Sequence, residues 1–208
     1  MAFTYFFRDQ HTLKLTLKHV IPSVAGCSRV RVWDAGCAMG PEPYSLAIMF
    51  AENMGRFAFR NLRIDATDVD GSNQFGKVIS QGVYPEDDLK RIPQDLFEKY
   101  FHLDNNQGYY RVNDSIRSKV VFQKHDLLSL RPIGQGFNLV LCKNVLLHFQ
   151  PAERVAVIRM FNEALAPGGF LAMEQTQKMP QEVAHLFEQV AANAQLKAGL
   201  ARCCLENH

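Results

Sequence analysis

The chain has 208 residues, 47% of them hydrophobic and 21% charged, with a formal net charge of +2. That length suits one domain with a small insertion and buries roughly 70% of the surface an unfolded chain exposes, so no disulfide framework or structural metal is needed for folding. The charges are balanced and form no dense Lys/Arg run, which argues against a nucleic-acid partner.

The first twenty residues, MAFTYFFRDQHTLKLTLKHV, place Arg8, Asp9 and Lys14 where the apolar core of a signal peptide would run. No stretch reaches the ~20 apolar residues of a membrane span, so no membrane insertion is expected. The five cysteines (Cys27, Cys37, Cys142, Cys203, Cys204) contain no C-x-x-C pair, and an odd number cannot all pair internally. Reduced thiols in a cytoplasmic protein are the expectation. The seven histidines are scattered singly, without metal-ligand spacing, so no metal site is expected.

Strand and helix patterns alternate along the chain. RVRVWDA (residues 29–35) is a short β-branched strand broken by Gly36, and Pro43 opens a helix running through Met54. LRIDATD (62–68), KVVFQKHD (119–126) and FNLVLCKN (137–144) read as further strands. Pro151 starts a helix with Val157, Ile158, Phe161, Ala164 and Leu165 on one face, ended by APGG (166–169). GFLAME (169–174) is a fifth strand, and Pro180 opens a last amphipathic helix through about Ala192. Such alternation predicts an α/β fold with a mostly parallel, Rossmann-like sheet covered on both faces. Between Gly82 and Val121 the rhythm breaks: GVYPEDD, a short helix over 93–101, then GYYRV and KVVFQ, both read as antiparallel ribbon. Residues 83–121 are therefore expected to form a small inserted β-subdomain, with 1–82 and 122–208 making the main domain.

The turn after the first strand, AGCAMGPEP, carries the chemistry. Gly36 and Gly40 let the main chain approach a ligand closely. The turn lacks the three-glycine spacing of a dinucleotide site and sets Glu42 where a pyrophosphate would sit. A carboxylate there repels phosphate and suits a cationic ligand such as S-adenosylmethionine, whose sulfonium and ammonium carry positive charge. It equally suits a plain helix start favoured by the dipole. At the tip of the second strand Asp68, ahead of Asp70, can accept from ribose hydroxyls or stand as a solvated loop acid. Asp126 and Leu127, after the third strand, can meet the adenine amino group and ring face. Lys143 and Asn144 close the fourth strand and face the place of transfer. Four polar features at successive strand ends, in cofactor order, are more specific together than singly.

The chain resembles the catalytic domain of the CheR family, the chemotaxis receptor methyltransferases that act as protein-glutamate O-methyltransferases. The resemblance runs through TYFFRD, DAGCAMGPEPYSLA, ATDVD, GVYP, KYF, VVFQKHDLL, LVLCKNVLLHF and LAPGGFLAME, nearly the whole chain. It implies a class I fold dependent on S-adenosylmethionine, with S-adenosylhomocysteine as product. It implies cofactor contacts from Thr4, Arg8, Glu42, Asp68, Asp126, Leu127, Lys143 and Asn144, and places Arg8 near the transferred methyl group as the first catalytic candidate. It implies as partner a protein substrate, the helical cytoplasmic region of a receptor.

The chain departs from the family pattern at several positions. Pro41 replaces the first of two glutamates, Lys143 an arginine and His148 a tyrosine, while MEQTQK stands where GHSE is usual. Because the chain starts almost at TYFFRD, the family's N-terminal helical domain is expected to be absent. Three readings stay open. A glutamate acceptor, already ionised at neutral pH with a pKa near 4.3, needs no general base, only alignment by a cation such as Arg8. A different acceptor, a hydroxyl or amine, would make His148 a catalytic base. A non-catalytic module would use an exposed edge strand of the inserted subdomain to dock a peptide.

Overall fold

The computed structural model describes residues 4–174, 176–191 and 195–200. Cys203 and Cys204 lie outside them. In chain order the elements are α1 (Gln10–Ser23), β1 (Val30–Ala35), α2 (Pro41–Asn53), α3 (Arg56–Arg60), β2 (Leu62–Asp68), α4 (Phe75–Gln81), β3 (Val83–Pro85), α5 (Glu86–Leu89), α6 (Gln94–Tyr100), β4 (Phe101–Leu103), β5 (Tyr109–Val112) and α7 (Asp114–Arg117). There follow β6 (Val120–Lys124), β7 (Phe137–Cys142), α8 (Pro151–Ala164), β8 (Leu165–Met173), α9 (Gln181–Ala184), β9 (Phe187–Gln189) and β10 (Leu196–Gly199).

Seven strands form one twisted sheet in the order β6-β2-β1-β7-β8-β10-β9. The first five run parallel, and β10 and β9 pair antiparallel beyond β8. β1 is central because it is apolar on both faces. Val30 and Val32 point into one core with Leu139 and Leu141, while Trp33 and Ala35 point into the other with Val140 and Cys142. This two-residue alternation is what a sheet buried on both sides requires. α1 and α2 cover the first face. α1 presents Leu13, Leu17 and Val20, and α2 is buried almost all round from Pro41 to Phe50. α8 covers the second face with Val157, Ile158 and Phe161, whose ring meets Trp33 edge-on at 5.2 Å. Pro151 supplies the first helical residue of α8, and the Glu153 carboxylate accepts from the Gln150 N–H at 2.8 Å to close the first turn.

A second sheet, β3-β5-β4, is antiparallel and three-stranded. It holds GYYRV, as expected of that segment. KVVFQ belongs elsewhere: β6 pairs parallel with β2, Ile64 against Val120 through Asp68 against Lys124, so Val120 and Val121 belong to the main sheet. α2 begins at Pro41 rather than Pro43, since Gly40 in the left-handed region turns the chain directly into it. The helix expected from Pro180 to Ala192 is a correction. α9 stops at Ala184, and Phe187–Gln189 is an edge strand on β10. Val183, Leu186, Phe187 and Val190 carry helical spacing, but pairing with β10 satisfies the same backbone and buries Phe187. Residue 192, the expected helix end, lies outside the described residues. No helix among the described residues is long and apolar enough to cross a membrane.

Candidate functional site

β1 lies where the strand order reverses, with β2 and β6 on one side and β7 and β8 on the other. The connections leaving neighbouring strands diverge there, and a crevice opens beyond the carboxyl ends. A cavity of about 760 Å³ occupies that crevice. Its walls include Thr4, Arg8, Gly36, Glu42, Asp68, Asp126, Leu127, Lys143, Asn144 and His148, every expected site residue but one.

The exception is Gly40. It sits at φ 103° behind the turn, and a side chain there would stand 2.6 Å from the Tyr84 hydroxyl and 2.7 Å from Ile79 Cγ1. Its smallness lets the turn pack on β3 and α4, so its role is in packing and not at the cavity wall. Gly36 is the glycine at the wall. At φ 105°, a Cβ would stand 2.1 Å from Val145 Cγ2. Gly36→Ala is expected to cost about 3 kcal/mol, overpacking added to left-handed strain. Urea unfolding checks this, and adding Val145→Ala should recover roughly half of the loss by removing the overpacking part.

The turn is held by β2. Gly36 and Cys37 donate their N–H groups to the Thr67 carbonyl at 2.8 and 3.0 Å. Thr67 Oγ1 in turn accepts from the Trp33 indole at 2.8 Å. The two carboxylates at this strand end have separate tasks. Asp70 accepts from Ser72 and from the N–H groups of Gln74 and Phe75, which start α4. Asp68 lines the cavity and takes the Ala38 N–H at 3.0 Å and the Asp70 N–H at 3.3 Å. Those two donors fix its orientation and leave acceptor capacity toward the crevice. Asp126 is fixed likewise, by the Leu128 N–H at 2.9 Å at the start of a short 3-10 turn.

On the opposite wall the segment ahead of α1 is pinned to α2. The Phe7 N–H donates to Ser45 Oγ at 2.8 Å. Phe6 is fully buried, edge-on to Tyr84 at 5.0 Å and to Phe101 at 5.5 Å. Arg8 emerges from this anchored pair, and its guanidinium donates to Asn144 Oδ1 at 3.2 Å. Ala38 and Asn144 at the cavity wall, and Phe7 and Asp9 on either side of Arg8, adopt positive φ. Left-handed backbone at residues other than glycine costs about 1–2 kcal/mol each and gathers where a site demands a particular main-chain path.

Charge is concentrated under this wall. Lys143 is 3% exposed, and its ammonium reaches Glu42 Oε2 at 3.1 Å, Asp9 Oδ2 at 3.3 Å and the Arg8 carbonyl at 3.4 Å. Asp34, at 0% exposure, lies on β1 behind Glu42. Burial first, then the nearby Glu42 carboxylate, pushes the Asp34 carboxyl well above the ordinary carboxylate range. Burial likewise pushes up the thiols of Cys37 and Cys142.

Several wall residues give no signal in the sequence. Ala38, Val69, Val145, Leu147 and Phe149 are apolar, and their part is set only by the turns they occupy. His125 sits against Trp33, ring centroids 5.8 Å apart, and burial lowers its pKa. Its place at the end of β6, immediately before Asp126, was the one available sign. Asp34 could have been noticed as an acid inside an apolar strand.

The crevice fits S-adenosylmethionine in its donors and acceptors. A backbone cradle too tight for a side chain adjoins acidic groups, and the helix entrance carries Glu42 in place of a phosphate-binding surface. Ligand pockets of small molecules occupy about 300–1,000 Å³, a range that includes this one.

Comparison with known proteins agrees. Residues 2–196 match the CheR methyltransferase, SAM binding domain. An uncharacterised 104.1 kDa protein of Rhodobacter capsulatus is 34% identical over 86% of this chain and 19% of its own length. A probable chemotaxis protein methyltransferase of Rhizobium etli is 26% identical over 90% of this chain and 72% of its own. A chemotaxis protein methyltransferase of Borreliella burgdorferi is 30% identical over 81% of this chain and 61% of its own. The chain thus spans as little as a fifth and at most about three quarters of these relatives. The match covers the three-stranded sheet, all of the main sheet but the end of β10, and every wall of the crevice, and the chain belongs to the CheR methyltransferase family, whose S-adenosylmethionine-binding domain it carries.

Proposed function

We propose that this domain transfers the methyl group of S-adenosylmethionine to glutamate side chains of a protein, a receptor-like helical segment being the acceptor. The observation that carries the reading is the crevice itself, where Arg8, Asn144 and His148 share one cavity with Glu42, Asp68 and Asp126. Relatives named as chemotaxis protein methyltransferases support the acceptor class.

S-adenosylmethionine supplies an electrophilic methyl on a sulfonium. The chain's own residues then have four tasks. Glu42 receives the ammonium end, Asp68 the ribose hydroxyls, and Asp126 with Leu127 the adenine. Arg8 holds the acceptor carboxylate by charge-assisted hydrogen bonds. No proton has to be removed from a carboxylate at neutral pH, so orientation and partial exclusion of water account for the rate. The three-stranded sheet, inserted between α4 and β6, presents a surface on which the protein acceptor is held.

Calorimetric titration with S-adenosylmethionine and with S-adenosylhomocysteine, using Asp68→Ala as control, tests the cofactor part. Both should bind, and Asp68→Ala should weaken each by about tenfold or more. Labelled methyl transferred to receptor fragments should be base-labile and released as methanol. Base-stable label would instead indicate a hydroxyl or amine acceptor, with His148 as the base.

A further inference from the structure

The Asp34 carboxyl is fully buried, and neither of its oxygens receives a hydrogen bond from any donor among the described residues. The adjacent cation attracts it but gives it no hydrogen bond. The three protons of Lys143 are matched by three acceptors, Glu42, Asp9 and the Arg8 carbonyl. An ionised carboxylate left in that state is strongly disfavoured, whereas a neutral carboxylic acid has a proton to give. The neighbouring Glu42 carboxylate opposes ionisation of Asp34 by its charge and favours the protonated acid as a hydrogen-bond acceptor.

We propose that Asp34 is a positioning residue for the cofactor site, a neutral acid whose O–H donates a hydrogen bond to the Glu42 carboxylate and so fixes the orientation in which Glu42 meets the ligand's ammonium. The inference rests on Glu42 being the ammonium contact. Glu42 is 9% exposed and is gripped from one side by Lys143. A second donor from β1 removes its remaining rotational freedom, as outer partners do for ligating groups elsewhere.

The groups facing Asp34 are Glu42 from α2, Lys143 from the end of β7, and Asp68 from the end of β2. Cys37 from the turn and Cys142 from β7 also lie within electrostatic reach. Lys143 alone favours ionisation of Asp34, while Glu42 and Asp68 oppose it along with burial. The consequence for stability has a definite sign. Raising the folded-state pKa of an acid makes its contribution fully present at low pH and removes it as pH rises through that value.

The test is S-adenosylhomocysteine binding to the whole chain by calorimetry, comparing Asp34→Asn, Asp34→Val and Glu42→Gln, with urea unfolding from pH 5 to 8. Asp34→Asn keeps a neutral donor and should bind within about threefold of the wild type, whereas Asp34→Val, similar in bulk without a donor, should bind about tenfold more weakly. The wild type should lose stability across that range relative to Asp34→Asn. Equal weakening of both Asp34 variants would show that an ionised carboxylate is required and would overturn the proposal, as would unchanged binding by both. If Asp34→Val does not fold, Asp34→Asn decides: retained affinity with the relative pH slope supports the proposal, and tenfold weakening overturns it. Unchanged binding by Glu42→Gln would instead refute the ammonium contact on which the inference rests.

Discussion

Arg8→Ala is expected to lower turnover of a protein acceptor by roughly 10²-fold, the scale of a misplaced reactant, while changing cofactor affinity by no more than about threefold. The reason lies in what happens to charge along the reaction. A carboxylate attacking a sulfonium-bound methyl loses negative charge as the bond forms, so a cation that merely gripped it would stabilise the ground state more than the transition state. The value of Arg8 is then geometric. Its backbone is locked by Phe6 and Phe7, and its guanidinium is oriented by Asn144. Single-turnover kinetics with bound cofactor separate this from a binding role, and an equal loss in affinity and turnover would reduce Arg8 to a cofactor contact. Arg8→Lys should recover only part of the rate, since a point charge lacks the planar fork.

The second large effect is on stability. Lys143→Met is expected to destabilise the fold by about 3–5 kcal/mol, the cost of leaving a buried charge without its counter-ion. Its ammonium serves three acceptors at once, and a methionine of similar shape supplies none of them. Lys143→Arg keeps the charge and should retain most of the stability, although the wider fork has to be seated in a space where lysine is 3% exposed. Urea unfolding at pH 7 measures both. Similar stability of Lys143→Met and the wild type would mean that the Glu42 pair is solvated and that its attraction is worth little.

The sequence made the parallel half of the sheet and most of the site visible for one reason. In a parallel sheet the functional ends of all strands lie on one edge, so a polar residue ending each apolar run is placed at the same crevice. Asp68, Asp126, Lys143 and Asn144 follow that rule, and Glu42 stands at the start of the helix that leaves β1. What stayed hidden was decided by partners distant in sequence. Whether Gly36 or Gly40 faces the ligand depends on Val145 and Tyr84, more than forty positions away from each. Asp34 looks like any acid near a strand end until β7 and α2 close over it. The segment after Pro180 satisfies a helical pattern equally well, and only the availability of β10 turns part of it into an edge strand.

The central place of β1 also bears on how the chain is made. β1 meets β2 within about thirty residues, but its other edge waits for β7, with Val32 opposite Leu139. Ribosomes add about 5–20 residues per second, so a strand apolar on both faces keeps one backbone edge unpaired for on the order of 5–20 s. An unpaired strand edge is a template for association with other chains. Slowing synthesis between β2 and β7 is therefore expected to raise the aggregated fraction, which comparing pelleted and supernatant protein at two expression temperatures would check.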